Sequence, residues 1–388
     1  MMTSRERVLA ALERREPDRV PTLDMMYELG NINKILGRRL VLPTGLPFKN
    51  HFLARLTDLI VPHVNTDLVM NKAMEDFAHD LVASAVKLGY DAVWVMHSPT
   101  FRFSDSRSTY DIYGRSFDVQ VDEKGNFLTP MYREGLIGGR GDWDALDKKQ
   151  IFRMPALTYS ALSKISKEFN DRIFIFGSFH GGLFEITWQC MGFERFILAS
   201  RREKEFVKRM IQFYADYYCL MVEAIAAAGL PGVLYPDDLA FRSGPMLNPR
   251  LLEELYGDAY RRITSTAHAL GMKVVMHTCG NVYALLDWLA DCGFDGVHGL
   301  EPTAGVELAK AKEAIGDRLC LVGNIDVTHI LMDASKEEVF EAVRVAIGDA
   351  AAGGGYIVAQ TNTHPKISVQ RLEWMLEAVE QYGGYAPS

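Results

Sequence analysis

Eight short apolar segments recur along the chain, and their spacing is the first indication of the fold. They are centred near residues 22, 94, 175, 233, 275, 297, 321 and 358. Within each segment the apolar residues run without alternation, which is typical of strands in a sheet that is covered on both faces. The pattern therefore predicts eight short buried strands.

Segments with apolar residues at helical spacing separate these strands. The first, over residues 3–15, has Thr3 or Ser4 as a cap and Glu6 in its first turn. Strand and helix alternating eight times predict an α/β fold, a (β/α)8 TIM barrel, with a doubly wound open sheet as the alternative. The other predicted helices cover residues 75–88, 156–169, 184–228, 248–269, 282–291, 305–315, 336–352 and 367–381, whereas residues 28–65 show no clear period.

The pattern changes between residues 98 and 150, where short alternating segments flank a turn at Lys124-Gly-Asn126. Alternation with a glycine-containing turn predicts a β-hairpin. We therefore expect a β-hairpin excursion after the second strand, inserted into a single barrel domain that covers residues 1–388.

Polar side chains follow nearly every predicted strand, at the point where the strand ends. In a barrel these ends converge on one mouth, where active sites lie. Polar loop residues are also common as turn formers and helix caps, but histidine is not a preferred turn residue. The residues at these positions are Asp24, His97, His180, Asp237, Asp238, His277, Cys279, His298, Glu301, Asn324, Asp326, Asn362 and His364.

His277 and Cys279 form the most informative pair among these residues. Side chains two apart on a strand point the same way, so an imidazole and a thiol would face one side together. Such a pair makes half of a zinc site, and Gly280 allows the sharp turn that follows. The alternative is that Cys279 is a small buried hydrophobe and His277 a hydrogen-bonded residue at the strand end.

Composition removes several classes of function. The chain has 388 residues, 48% of them apolar and 24% charged, and a net charge of −8, which argues against a nucleic-acid partner. No apolar run approaches the ~20 residues of a membrane helix, and the charged start lacks the apolar core of a signal peptide. We therefore expect a cytoplasmic protein. Its five cysteines are too sparse for a disulfide framework, and no glycine-rich nucleotide motif follows the first strand.

Aromatic residues and methionines are frequent in the segments 25–65 and 98–150, which would line the mouth of a barrel. This enrichment favours a pocket for a small molecule, with core packing as the alternative. We expect Tyr27 and Phe101 to contact the substrate, together with His97, His180 and Asp326. We expect Asp24, Asp237, Asp238 and Asn324 to be catalytic.

Several motifs recur in order along most of the chain. They are Arg5-Glu-Arg-Val8, Pro17-Asp-Arg-Val-Pro21, Asp111-Ile-Tyr-Gly114, Tyr235-Pro-Asp-Asp238, Gly244-Pro-Met-Leu-Asn-Pro249, His277-Thr-Cys-Gly-Asn-Val282, Leu300-Glu-Pro302 and Gly323-Asn-Ile-Asp326. These motifs resemble those of the uroporphyrinogen decarboxylase superfamily, and in particular of its zinc-dependent methyltransferases that work with corrinoid proteins. This resemblance implies a (β/α)8 barrel, zinc as a cofactor and methyl transfer to or from a corrinoid.

The resemblance also implies a metal site with one departure from the family pattern. His277 and Cys279 match two zinc ligands, but the third ligand of those methyltransferases is a cysteine, and Asn362 stands at the matching position. Glu301 is the first candidate to replace it and His364 the second.

Other residues near the pair have less direct roles under this resemblance. His298 is a further candidate ligand, although strand alternation could turn it away from the mouth. Asp237 and Asp238 would support the ligands or orient the substrate.

The chain has no Asp-x-His-x-x-Gly motif for a corrinoid, so a corrinoid would arrive on a separate protein. The oligomeric state stays open, a homodimer being one alternative.

Two other functions are compatible with the sequence. A uroporphyrinogen decarboxylase-like lyase is one, but the Arg-Gln-x-Gly-Arg signature of the decarboxylases is absent, and Asp24-Met-Met-Tyr-Glu-Leu-Gly30 stands in its place. Acidic residues would disfavour a substrate with many carboxylates. The other is a barrel that binds a small molecule without catalysis.

Overall fold

Eight parallel strands close into a barrel, which confirms the predicted TIM barrel. The computed structural model describes residues 2–25, 29–38, 67–96, 102–103, 108–121, 127–364 and 366–385. Around the barrel the strands follow the order β1, β2, β7, β8, β11, β12, β13, β14 and back to β1. Their bounds are Thr22–Asp24 (β1), Ala92–Met96 (β2), Phe174–Ser178 (β7), Gly232–Pro236 (β8), Lys273–Thr278 (β11), Gly296–Gly299 (β12), Cys320–Ile325 (β13) and Tyr356–Gln360 (β14).

Helices surround the barrel and cover the outward faces of its strands. Each strand is therefore apolar on both sides, which explains the unbroken apolar segments of the sequence. The longer helices are α1 (Ser4–Leu12), α2 (Leu29–Leu36), α3 (Asp67–Leu88), α6 (Met154–Phe169), α7 (Leu183–Met191), α8 (Phe193–Arg202), α9 (Lys204–Ala227), α11 (Asp258–Ala269), α13 (Leu308–Ile315), α14 (Lys336–Ala350) and α15 (Val369–Tyr382). The short ones are α4 (Arg140–Ala145), α5 (Lys148–Ile151), α10 (Pro249–Leu252) and α12 (Leu286–Asp291). No helix among the described residues is long and apolar enough to cross a membrane.

The helix boundaries differ from the prediction at several places, and α3 begins at Asp67 rather than at residue 75. The segment predicted as one helix over residues 184–228 is divided into α7, α8 and α9, because Gly192 has a φ of 82° and Glu203 also leaves the helical conformation. Residues 253–257 form a π-helical turn between α10 and α11. Helix α2 lies within the segment that was predicted to be irregular.

The excursion predicted after the second barrel strand is confirmed. It is a four-stranded antiparallel sheet in the order β3, β4, β5, β6, larger than a single hairpin. The bounds are Arg102–Phe103 (β3), Ser108–Tyr110 (β4), Arg115–Val121 (β5) and Phe127–Gly135 (β6). A separate two-stranded ribbon, β9 (Ala240–Phe241) and β10 (Gly244–Pro245), follows β8.

Side chains fill the inside of the barrel, and its amino end is closed by α1. The apolar residues of α1 pack onto the same cluster as Trp94, Phe176 and Val275 of the barrel interior. Beside it, Asp91 forms ion pairs with Arg7 at 2.6 Å and with Arg19 at 2.7 Å. The amino end is thus sealed, which leaves the carboxyl ends of the strands as the place for a site.

Candidate metal centre at the carboxyl end of the barrel

The fifth barrel strand, β11, delivers His277 and Cys279 to the mouth. His277 is the second-last residue of β11 and is buried, with 8% of its surface exposed. Cys279 follows directly after the strand. The Cys279 sulfur lies 3.8 Å from Nε2 of His277. The two side chains therefore meet on one side of the strand, as their spacing predicts.

Gly280 is needed for the turn that follows. It has a φ of 85°, and a Cβ at this position would lie 2.5 Å from the carbonyl oxygen of Ala240. The backbone NH of Asn281 donates a hydrogen bond to the carbonyl of Phe241 at 2.9 Å. The close approach of these two loops fixes the height of Cys279 above the barrel.

Asp238 joins the pair from the neighbouring strand. The backbone NH of Asp237 donates to the carbonyl of His277 at 2.9 Å, and that of Cys279 donates to Oδ1 of Asp238 at 3.0 Å. Among the described residues, Asp238, His277 and Cys279 form a group of three whose potential ligand atoms all lie within 4.8 Å of one another. Asp238, expected to be catalytic, therefore belongs to the candidate metal centre.

Glu301 adds a second carboxylate beside Cys279. Its Oε2 accepts a hydrogen bond from the backbone NH of Gly280 at 3.1 Å. Burial, followed by the negative charges of Asp238 and Glu301, raises the pKa of the Cys279 thiol well above its usual range. Burial also lowers the pKa of His277, against the opposing effect of the two carboxylates.

This donor set fits zinc on chemical and electrostatic grounds. It offers a sulfur, an imidazole nitrogen and carboxylate oxygens, the three atom types that bind zinc in proteins. Ligand atoms on a tetrahedral zinc lie roughly 3.3–3.8 Å apart, not far below the 4.8 Å limit within which these three groups lie. Two carboxylates beside a buried thiol are also unfavourable unless a cation compensates them.

Asn362, which follows β14, contacts the same sulfur. Its Nδ2 lies 3.4 Å from the Cys279 sulfur, where it donates a hydrogen bond, and its Oδ1 accepts one from the backbone NH of Thr363 at 2.8 Å. The position that the resemblance assigns to a third cysteine therefore does reach the centre. In this chain it carries a donor group instead of a thiolate.

His298 on β12 also faces the barrel interior. It stands opposite His277 in the strand register, and the two Nδ1 atoms lie 2.6 Å apart. Its Nε2 donates to the backbone carbonyl of Gln360 at 3.0 Å. His298 is therefore not turned away from the site, because the two strands pair with these residues side by side.

A comparison with known families identifies the family of this chain. The family model for uroporphyrinogen decarboxylase (URO-D) matches residues 113–382. This chain belongs to the uroporphyrinogen decarboxylase family. The resemblance inferred from the motifs is thereby confirmed.

Relatives of this family member carry out two kinds of reaction. The methylcobamide:CoM methyltransferase MtaA of Methanosarcina barkeri is 22% identical over 252 residues, which cover 65% of this chain and 70% of that protein. A uroporphyrinogen decarboxylase of Chlorobaculum tepidum is 27% identical over 258 residues, covering 63% and 67% respectively. Both relatives are enzymes, which supports an enzymatic function for this family member.

A solved structure confirms the fold. The methyltransferase from Methanosarcina mazei superposes with a TM-score of 0.74 at 17% identity, and covers 98% of this chain and 99% of that chain. At this identity the likeness concerns the fold, so the chemistry has to be argued from the residues themselves.

Asp237, the neighbour of Asp238, contacts a helix rather than the metal centre. It is fully buried, and its carboxylate accepts hydrogen bonds from the backbone NH groups of Phe184 at 2.9 Å and Glu185 at 2.8 Å, and from the hydroxyl of Tyr260. Burial raises the pKa of Asp237 to about 7. These are the contacts of a residue that anchors the start of α7, and Asp237 is not part of the group of three potential ligands.

The other two residues expected to be catalytic form hydrogen bonds between neighbouring strands at the carboxyl end of the barrel. Asp24 is fully buried, and its Oδ1 accepts a hydrogen bond from Nε2 of Gln360 at 3.3 Å. Asn324 donates from Nδ2 to the carbonyl of Leu300 at 3.2 Å. Neither belongs to the group of three potential ligands around Cys279.

The residues expected to bind substrate or complete the metal site are spread more widely. Asp326 caps the turn that follows β13 by accepting from the backbone NH of His329 at 2.7 Å. Nδ1 of His364 accepts from the backbone NH of Lys366 at 3.2 Å, and His364 is not part of the group of three. Tyr27, His97 and Phe101 lie outside the described residues.

His180 lies beside a buried polar cluster that the sequence did not single out as a site. Its ring packs near Phe117 at 6.2 Å between centroids, and burial followed by the charge of Arg115 lowers its pKa to about 3. Arg115 is ion-paired with Asp111 at 2.6 Å.

Burial, followed by the charge of Asp238, raises the pKa of Glu185 to about 8. No sequence motif marks Glu185, because its approach to Asp238 depends on where α7 packs against the barrel.

Proposed function

We propose that this protein is a zinc-dependent methyltransferase that moves a methyl group between a small substrate and a corrinoid carried by a separate protein. The observation that carries the proposal is the grouping of Asp238, His277 and Cys279 at the mouth of the barrel. This grouping occurs in a member of a family that includes a methylcobamide:CoM methyltransferase.

The ligands of the proposed site come from three strand ends. Nε2 of His277, the sulfur of Cys279 and a carboxylate oxygen of Asp238 would hold the metal, with Glu301 close to Cys279 as the further candidate. When bound, zinc would supply Lewis acidity that lowers the pKa of a thiol or hydroxyl on the substrate. Asn362 would donate its hydrogen bond to the Cys279 sulfur and thereby limit its negative charge.

The corrinoid belongs to the proposal as a partner. The sequence has no Asp-x-His-x-x-Gly corrinoid-binding motif, and a relative from Methanosarcina barkeri is named a methylcobamide:CoM methyltransferase. The corrinoid would therefore be presented to the barrel mouth by another protein. The single domain over residues 1–388 and the cytoplasmic location stay predictions of the sequence.

A decarboxylase is the second candidate, because a uroporphyrinogen decarboxylase reaches 27% identity with this chain. The local charge disfavours it. Asp238 and Glu301 stand at the centre, and their carboxylates would repel a substrate with several carboxylates in the absence of a metal.

Metal content tests the proposed site directly. We expect the purified protein to hold one zinc for each chain and the variants Cys279→Ala and Asp238→Ala to lose it. Cys219→Ala is the matched control, since Cys219 is also a free, half-buried cysteine but lies on α9. Wild-type protein that binds no zinc, or variants with unchanged zinc, would show that the proposed centre is wrong.

Methyl transfer is tested separately by the absorbance of cobalamin. With zinc bound, we expect methylcobalamin to change its spectrum when a thiol acceptor is added, or cob(I)alamin to change when a methyl donor is added. The change should be absent in Cys279→Ala and present in Cys219→Ala. Zinc binding without any spectral change, together with release of CO2 from a carboxylated substrate, would favour the decarboxylase.

A further inference from the structure

His298 is linked to the metal centre by a chain of two hydrogen bonds. The backbone carbonyl of Gln360 accepts a hydrogen bond from Nε2 of His298 at 3.0 Å. Nδ1 of His298 lies 2.6 Å from Nδ1 of His277. Nε2 of His277, at the other end, lies 3.8 Å from the Cys279 sulfur. The chain therefore begins at a main-chain carbonyl and ends at the proposed ligand atom.

The carbonyl of Gln360 determines where the protons of this chain lie. A carbonyl oxygen only accepts hydrogen bonds, so the hydrogen of His298 must be on Nε2. A neutral imidazole carries one hydrogen, and Nδ1 of His298 is therefore an acceptor. His277 must then donate from its own Nδ1, which leaves the lone pair of its Nε2 free.

The surroundings of His298 favour this neutral arrangement. The ring is fully buried, and its two hydrogen-bond partners are a backbone carbonyl and another imidazole. A charged group in such surroundings would lose its hydration without gaining an ion-pair partner. His298 uses both ring nitrogens in these contacts, so it has no lone pair left to bind a metal itself.

We propose that His298 is a positioning residue: anchored on the carbonyl of Gln360, it holds His277 in the tautomer whose Nε2 is free to bind a metal. This inference rests on the metal centre proposed above. Hydrogen bonds from the second nitrogen of a metal-binding histidine commonly set its tautomer and ring orientation. Here the partner is itself a histidine, supplied by the adjacent strand through the pairing of His277 with His298.

Two substitutions separate this role from simple packing. His298→Leu keeps most of the volume and removes both hydrogen bonds. His298→Asn keeps an oxygen near the place of Nδ1 that can accept from His277. Val322→Ala is the matched control, because Val322 stands opposite His298 on β13 and faces the same barrel interior. Thermal unfolding of each variant reports any general loosening of the barrel.

Zinc affinity, measured by competition with a chromophoric chelator, is the first readout. We expect His298→Leu to bind zinc about 10–100-fold more weakly, as is usual when such a partner is removed. We expect His298→Asn to stay within about tenfold of the wild type and Val322→Ala to be unchanged. Wild-type affinity in His298→Leu, or equal weakening in the Leu and Asn variants, would overturn the inference.

The tautomer itself is the second readout and needs no metal. In metal-free protein labelled with nitrogen-15 at histidine, we expect the His277 resonances of a protonated Nδ1 and an unprotonated Nε2. The opposite assignment in the wild type would overturn the inference even if His298→Leu fails to fold. If the wild type shows this tautomer but binds no zinc, the proposed function is wrong while the hydrogen-bond chain stands.

Discussion

Replacing Asn362 by cysteine should strengthen zinc binding, because this position already reaches the proposed ligand set. Nδ2 of Asn362 lies 3.4 Å from the Cys279 sulfur. Two sulfurs that bind one tetrahedral zinc at about 2.3 Å are about 3.8 Å apart. A cysteine side chain at this position therefore starts close to the required separation, although its sulfur sits one bond nearer to the backbone than Nδ2.

The size of the gain follows from the number of ligands. Zinc binding by a four-ligand site is worth about 10–16 kcal/mol at pH 7, or about 2.5–4 kcal/mol for each ligand. One added thiolate should therefore raise the affinity by up to roughly 50–700-fold. The gain at neutral pH will be smaller, because Asp238 and Glu301 also raise the pKa of a neighbouring thiol. We expect at least a tenfold increase, and a larger one as pH rises.

Chelator competition and cobalt substitution measure this effect under reducing conditions. The sulfur-to-cobalt absorption should grow from the intensity of one thiolate to that of two in Asn362→Cys. Asn362→Ala is the control, since it removes the hydrogen bond to Cys279 without adding a ligand. Equal zinc affinity in the wild type and Asn362→Cys, together with a one-thiolate cobalt spectrum, would refute the placement of residue 362 at the metal centre.

Two further predictions concern the scaffold. Gly280→Ala should cost about 1–3 kcal/mol of unfolding free energy, measured by urea titration, and should weaken zinc binding. The reason is that Gly280 has a φ of 85° and that an added Cβ would meet the carbonyl of Ala240. Gly271→Ala is the control for backbone strain alone, because Gly271 has a φ of 73° and open space around it. Asp18→Asn should cost about 1 kcal/mol at pH 7, because the hydrogen bond from Arg7 lowers the pKa of Asp18 to about 2. A lowered pKa stabilises the fold above the unfolded-state value of 3.8, and that contribution is lost as pH falls toward 2. The cost should therefore shrink between about pH 4 and pH 2, and a cost independent of pH would contradict the assignment.

The positions of the eight strands could be predicted because each is a local property of the chain. A strand covered on both faces needs an unbroken apolar run, and the segments around residues 94, 175 and 275 have one. The capping box of Thr3 and Glu6 was equally local and is present in α1. The break of the long helical segment at Glu203 was missed, because no glycine or proline marks it in the sequence.

The candidate metal centre was also predictable only in part. The sequence by itself determined that His277 and Cys279 lie on one side of a strand end, because side chains alternate along a strand. Only the tertiary structure decided that Asp238 approaches Cys279, that Asn362 donates to its sulfur, and that His298 stands beside His277. Those contacts depend on the register between strands, which closure of the barrel sets across 21 to 83 residues of chain. Alternation along one strand carries no information about that register, so the sequence and its family resemblance could name candidate partners of His277 and Cys279 but could not select among them.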